Sequence, residues 1–150
     1  MEVILGKEFG YVVMVVVLYC FLVMRMASRV GKARMRYKVF YPNLYALESD
    51  NKDAKLFNCI QRAHQHSLEV MPMFLVLLIL GGMAHPRASA ALGLVYIISR
   101  YFFFTGYATG DPDNRLRFAR FGVGAMTGLF ICSISFGFDL LLSSNVHFSS

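Results

Sequence analysis

Charged side chains are scarce in this chain: Asp, Glu, Lys and Arg make up 16% of its 150 residues, against 57% hydrophobic. A soluble domain of this length needs more polar surface to stay wetted, so the shortage argues against an ordinary water-soluble fold and puts a membrane first. Cysteine is sparse as well. The three present, Cys20, Cys59 and Cys132, form an odd set in or beside apolar segments, which speaks against an extracellular disulfide framework and reads as core thiols. The sequence has no P-loop, GxSxG elbow, GxGxxG turn or CxxC pair, so soluble nucleotide and hydrolase chemistries have no foothold. It has no internal repeat, no low-complexity tract, and no prenylation box or KDEL-type address at its end, His147, Phe148, Ser149, Ser150. The formal net charge is +6, but the basic residues flank apolar segments instead of forming a stripe on a soluble scaffold, so no nucleic-acid partner is expected.

What is present is apolar length. A spanning helix needs about 20 mostly apolar residues, and four segments qualify: about 9–27, between Glu8 and Arg25; about 56–84, stopped by His85 and Pro86; about 88–108, ending at the turn signal Thr109, Gly110, Asp111, Pro112; and about 118–138, before Asp139. The uncharged run 9–24 is long for a signal-peptide core and no small-residue cleavage site follows it, so it is expected to be retained. The expectation is a single all-α domain over 1–150, an integral membrane four-helix bundle. The loops after spans one and three share a side. They carry Arg25, Arg29, Lys32, Arg34, Arg36, Lys38, Lys52, Lys55, Arg115, Arg117 and Arg120, against Lys7 and Arg87 on the other side. The positive-inside rule then makes both basic loops cytosolic and puts both chain ends on the opposite side.

Spans two and three carry ionisable residues, which are costly in hydrocarbon and therefore mark function or pairing. Arg62, His66 and Glu69 stand at i, i+4 and i+7, one stripe of a helix; Arg100, Phe103 and Tyr107 repeat that spacing on the next. Seven residues rise about 10.5 Å, so in antiparallel helices Glu69 and Arg100 come to comparable depth and both stripes open toward the basic loops. Two readings of Glu69 and Arg100 stay open: a functional pair, or an ion pair that holds the two helices together. His64 and His66 do not suggest a metal site, because positions i and i+2 of a helix are about 200° apart. Pro72 is expected to bend the second helix just beyond Glu69.

The basic run over residues 25–38 holds six Lys or Arg and no acid, a composition drawn to anionic lipid. Arg115, Arg117 and Arg120 invite the same reading, but they also adjoin the polar ends of spans two and three, where a small anionic ligand would be well received. Tyr101, Phe102, Phe103, Phe104 and Tyr107 suit an interfacial belt or the lining of an apolar acceptor pocket.

The segment Phe57, Asn58, Cys59, Ile60, Gln61, Arg62, Ala63, His64, Gln65, with Glu69 and Pro72 after it, resembles the signature of the membrane-associated eicosanoid and glutathione metabolism (MAPEG) family. Within the family the type-3 microsomal glutathione transferase branch is the one it looks like. Further matching stretches are Lys32, Ala33, Arg34 with Tyr37, Lys38, Val39; Gly81, Gly82; His85, Pro86, Arg87; and Gly106, Tyr107 with Thr109, Gly110, Asp111, Pro112 before Arg115 and Arg117.

The resemblance implies a homotrimer in the endoplasmic reticulum or a related membrane, with glutathione as co-substrate bound between subunits; on the histidine spacing no metal is expected. It implies a glutathione-binding set of Arg34, Arg62, His66, Glu69 and Tyr107, and a thiol-activating arginine at Arg117 or Arg115. Arg117 is favoured because Leu116 and Arg117 match the family's leucine–arginine pair. Arg34 and Arg62 are expected to hold carboxylates and Glu69 the ammonium. Three positions depart from the family pattern: His66 where asparagine is usual, and Val70 and Phe103 where tyrosines are usual. The implied activity is conjugation of glutathione to lipophilic electrophiles or reduction of lipid hydroperoxides. Competing readings are a non-catalytic lipid-binding member of the same fold and a structural four-span protein whose buried charges only pair helices.

Overall fold

The computed structural model describes residues 6–146; both chain ends, including residues 147–150 read above for targeting signals, lie outside them. Among the described residues the regular structure is entirely helical: α1, Phe9–Tyr37; α2, Ala54–Ala84; α3, Pro86–Tyr107; a 3-10 turn, Pro112–Arg115; and α4, Leu116–Val146. Each of the four long helices is long and apolar enough to cross a membrane. This is the all-α membrane bundle that the hydropathy pattern implies.

Two helices run further than the apolar segments that announce them. α1 continues ten residues past Ala27 because Arg25, Arg29, Lys32 and Arg36 are good helix formers, and leaving the hydrocarbon does not end a helix. It stops where Lys38 turns left-handed (φ 55°) and its N–H bonds back to the Arg34 carbonyl. At 29 residues α1 is about 43 Å long, longer than a hydrocarbon core of about 30 Å, so its basic end projects beyond the apolar layer. α4 likewise passes Asp139 and reaches Val146. Between α2 and α3 only His85 intervenes, with Pro86 opening α3 where its missing N–H is harmless. α2 itself runs through Pro72 as one helix.

Helices α2 and α3 form the centre of the packing, and α1 and α4 each lie against both of them. The core joins Val12, Val15 and Tyr19 of α1 to Phe74 and Leu78 of α2, Tyr96 and Ile97 of α3, and Ala125 and Leu129 of α4. Tyr19, Phe74 and Tyr96 form an aromatic cluster, with Phe74 and Tyr96 stacked at 4.1 Å between ring centroids. Helices approach closely where side chains vanish: a Cβ on Gly93 would stand 2.7 Å from Val15 and 3.0 Å from Leu78. Gly106 does the same for the loop after α3. Its would-be Cβ meets the Asn114 backbone carbonyl at 2.7 Å, so the 3-10 turn folds directly onto the end of α3.

Candidate functional site

The first half of α2 and the last half of α3 bring their polar stripes to the basic end of the bundle, as the i, i+4, i+7 spacing requires. Arg62 and Glu69, two turns apart on α2, form an ion pair with Nη1 to Oε1 at 2.7 Å, and both side chains are over 40% exposed. Glu69 is therefore matched by its own helix and not by Arg100. Arg100 turns instead to Tyr96, donating from Nε to the hydroxyl at 3.1 Å, and to His66, with Nη1 3.3 Å from Nδ1. Its guanidinium also lies over the Phe103 ring at 4.6 Å. The helix-pairing contact between α2 and α3 at this depth is thus Arg100 with His66, because the α2 stripe is self-complementary and leaves Arg100 only neutral partners.

Tyr107 closes the α3 stripe. Its ring lies 5.9 Å from Phe103, which in turn lies 5.1 Å from the His66 ring, so an aromatic line connects the loop end to the Arg100 level. Over the other side of Tyr107 sits the Arg115 guanidinium, 4.9 Å from the ring centroid. Arg117, two residues on, is exposed and lines a separate hollow with Phe102, Thr105, Gly106 and Asn114. The turn therefore sends the two candidate arginines to different places, and Arg115 is the one that joins Tyr107.

Beside Arg62 and Tyr107 is a hollow of about 280 Å³, lined also by Tyr45, Glu48, Lys55 and Asn58. The first loop forms one wall. It is closed by Asn58, whose side chain both accepts from the Ala46 N–H and donates to its carbonyl, and by the Tyr45 hydroxyl donating to Gln65 at 2.6 Å. A second cleft of about 400 Å³ opens deeper, between α2, α3 and α4, with His66, Val70, Arg100 and Phe103 among its lining residues. Val70 and Phe103, where the resemblance leads one to expect tyrosines, both line it.

Arg34 stands apart from this assembly. It is 6% exposed, and its two terminal nitrogens donate to the carbonyls of Val39, Asn43 and Leu44 and to Gln61 Oε1, the shortest bond being 2.7 Å to Asn43. Its plane lies against the Tyr41 and Phe57 rings. As placed, Arg34 fixes the path of the first loop from inside and is not presented to the hollow. Sequence reasoning missed Tyr96, Tyr45, Asn58 and Gln61 as participants. Asn58 and Gln61 lie within the matching signature segment, but only the loop path reveals what they hold.

The hollow itself is lined by the Arg62 guanidinium, Lys55, the Glu48 carboxylate and the Tyr45 and Tyr107 phenols; Glu69 is paired with Arg62, Arg115 lies against Tyr107, and an apolar cleft lies deeper in the bundle. Such a set accepts a small molecule bearing both anionic and cationic groups, and offers a second, oily compartment beside it. The MAPEG family model matches residues 12–135 of the chain. Among curated proteins, microsomal glutathione S-transferase 2 of Mus musculus is 36% identical over 110 residues, covering 72% of this chain and 69% of the relative. The protein of that name from Bos taurus is 42% identical over 106 residues, covering 70% and 67%. That from Homo sapiens is 37% identical over 83 residues, covering 55% and 52%. These relatives carry the type-2 name, where the sequence motifs look like the type-3 branch.

Proposed function

This chain belongs to the MAPEG family, and from that premise we propose that it is a membrane-bound glutathione transferase, with glutathione peroxidase activity toward lipid hydroperoxides. The observation that carries the reading is the convergence of Arg62, Glu69, Tyr107 and Arg115 at one end of the bundle, beside an apolar cleft. Glutathione has two carboxylates, an ammonium and a thiol. Arg62 receives a carboxylate and Glu69 the ammonium, so that the tripeptide replaces their mutual ion pair with two of its own. Tyr107 and His66 add hydrogen bonds. Arg34 serves as the organiser of the loop wall.

The thiol has an ordinary pKa of about 8.5 and is mostly protonated at pH 7, and each unit of lowering requires about 1.4 kcal/mol of preferential thiolate stabilisation. A guanidinium beside the sulfur supplies that. The contact of Arg115 with Tyr107 favours Arg115 over Arg117 for this role. The thiolate then attacks an electrophilic carbon, forming a C–S bond as a leaving group departs or a proton is taken up. Toward a hydroperoxide it attacks the outer oxygen, the O–O bond breaks, and alcohol and glutathione sulfenic acid result; a second glutathione converts the latter to disulfide and water.

We further propose that the basic end faces the cytosol, that the membrane is the endoplasmic reticulum or a related one, and that the active form is a homotrimer in which a neighbour completes the exposed Arg62–Glu69 side of the site. A second reading, a glutathione-binding but non-catalytic lipid carrier, is favoured by one observation, the apolar Val70 and Phe103 facing the cleft. Turnover decides between the two. Detergent-purified protein is assayed for conjugation of a generic electrophile and for glutathione-dependent reduction of a fatty-acid hydroperoxide. Activity lost in Arg115→Ala supports the enzyme; glutathione binding without turnover across both panels supports the carrier.

A further inference from the structure

The cleft between α2, α3 and α4 has apolar walls: Val70 and Met73 on α2, and Val123, Met126 and Phe130 on α4. Its volume of about 400 Å³ lies within the roughly 300–1,000 Å³ of small-molecule sites. One cation stands on its wall, Arg100, seven residues and therefore about 10.5 Å of helix rise inward from Tyr107. A guanidinium at such a depth calls for an anion. Among the described residues it has none: the ion pairs there are Arg62 with Glu69 and Arg87 with Glu8. The groups that do touch Arg100, the Tyr96 hydroxyl, the His66 ring and the Phe103 face, orient the guanidinium without neutralising it. Nε and Nη1 are engaged by these neighbours, and no hydrogen bond is formed by Nη2 among the described residues.

We propose that Arg100 anchors the carboxylate of the lipophilic acceptor, so that the cleft takes a fatty-acid-type amphiphile with its head on Arg100 and its hydrocarbon chain between Met73, Val123, Met126 and Phe130. Charge complementarity selects this occupant over a neutral lipid, and a mainly apolar lining with one cation, whose other polar groups (His66, Tyr96, Ser99, Thr127) carry no acid, matches one charged head on one apolar tail. Arg100 is then a specificity-determining residue: it discriminates free acids from their uncharged esters. The consequence for turnover rests on the transferase and peroxidase reading above, whereas the binding preference does not.

The test uses the full chain in nanodiscs and the fluorescent fatty acid cis-parinaric acid beside its methyl ester, first without glutathione. The free acid is expected to bind about tenfold more tightly than the ester, the effect of one charge-assisted contact of ordinary strength. Arg100→Gln brings the acid-to-ester ratio close to one, and Arg100→Lys keeps part of it. Equal binding of acid and ester by the unsubstituted protein, a comparison that needs no variant, overturns the proposal; so does a ratio that survives Arg100→Gln. In turnover, the acid-to-ester ratio of kcat/KM for linoleic acid hydroperoxide and its methyl ester follows the same pattern. If Arg100→Gln instead raises the KM for glutathione and leaves that ratio intact, the anion on Arg100 is a carboxylate of the tripeptide and the proposal fails. An acid preference in binding with no turnover of any acceptor supports the anchor and sinks only the enzymatic reading.

Discussion

Arg115 and Arg117 are two residues apart, yet one ends the 3-10 turn and lies over Tyr107 while the other starts α4 and lines a different hollow. An opposite charge within about 4–6 Å lowers a thiol's pKa by about 1–3 units. Arg115→Ala is therefore expected to cut kcat/KM about ten- to a hundredfold at neutral pH and to abolish the ultraviolet band of bound thiolate. The pH of half-maximal rate should rise with it, since a thiol whose pKa is no longer depressed ionises only at higher pH. Arg117→Ala should stay within about threefold; the opposite ranking of the two variants would return the role to Arg117. Glu69 gives a second test at this scale. With its charge removed, in Glu69→Gln, the KM for glutathione should rise about tenfold, while an analogue lacking the ammonium should bind equally well to both proteins. An equal loss for the analogue would mean that Glu69 acts only by holding Arg62.

Single helices were largely legible in the sequence, and the contacts between them were not. Hydropathy and the 3.6-residue period place Arg62, His66 and Glu69 on one face of α2, and Arg100, Phe103 and Tyr107 on one face of α3, because both signals act within an element. Which residue meets which across the gap depends on helix rotation and loop path. That is why the sequence left Glu69 and Arg100 as a candidate pair, whereas the structure joins Arg62 to Glu69 along α2 and Arg100 to His66 across the helices. Arg34 shows the same limit: the matching stretch Lys32, Ala33, Arg34 marks a cation near the site, but only the last turn of α1 and the fold of residues 39–44 around it show that its terminal nitrogens are used internally. The turn that sets Arg115 is in turn held by Gly106. Gly106→Ala forces a Cβ against a backbone carbonyl at 2.7 Å, which cannot swing aside as a side chain would. It is expected to cost about 1–3 kcal/mol and to lower kcat through displacement of Arg115. Gly124→Ala, with nothing within 4 Å of its would-be Cβ, is the control. Melting in detergent and kcat, measured side by side, check both; a Gly106→Ala protein indistinguishable from the control would show that the turn does not depend on this close approach.

At the scale of the whole molecule the bundle is polarised. Its hollow and most of its Lys and Arg are at one end, and the apolar cleft lies deeper, so on the function proposed above two reactants of opposite solubility would reach neighbouring compartments from two phases. This arrangement works only if the basic end faces the compartment that supplies glutathione, which the cytosolic pool does. The positive-inside rule predicts that orientation from loop composition alone. In a background with Cys20, Cys59 and Cys132 changed to Ser, single cysteines at Ser49, in the exposed first loop, and at Ala88, at the opposite end of the bundle, report the two sides. In sealed vesicles with the cytosolic face outward, a membrane-impermeant maleimide should label Ser49→Cys at once and Ala88→Cys only after permeabilisation. The reverse pattern would put the hollow beside Arg62 and Tyr107 in the lumen. It would also remove the argument that charge distribution and substrate supply select the same orientation, because the site would then open away from its thiol.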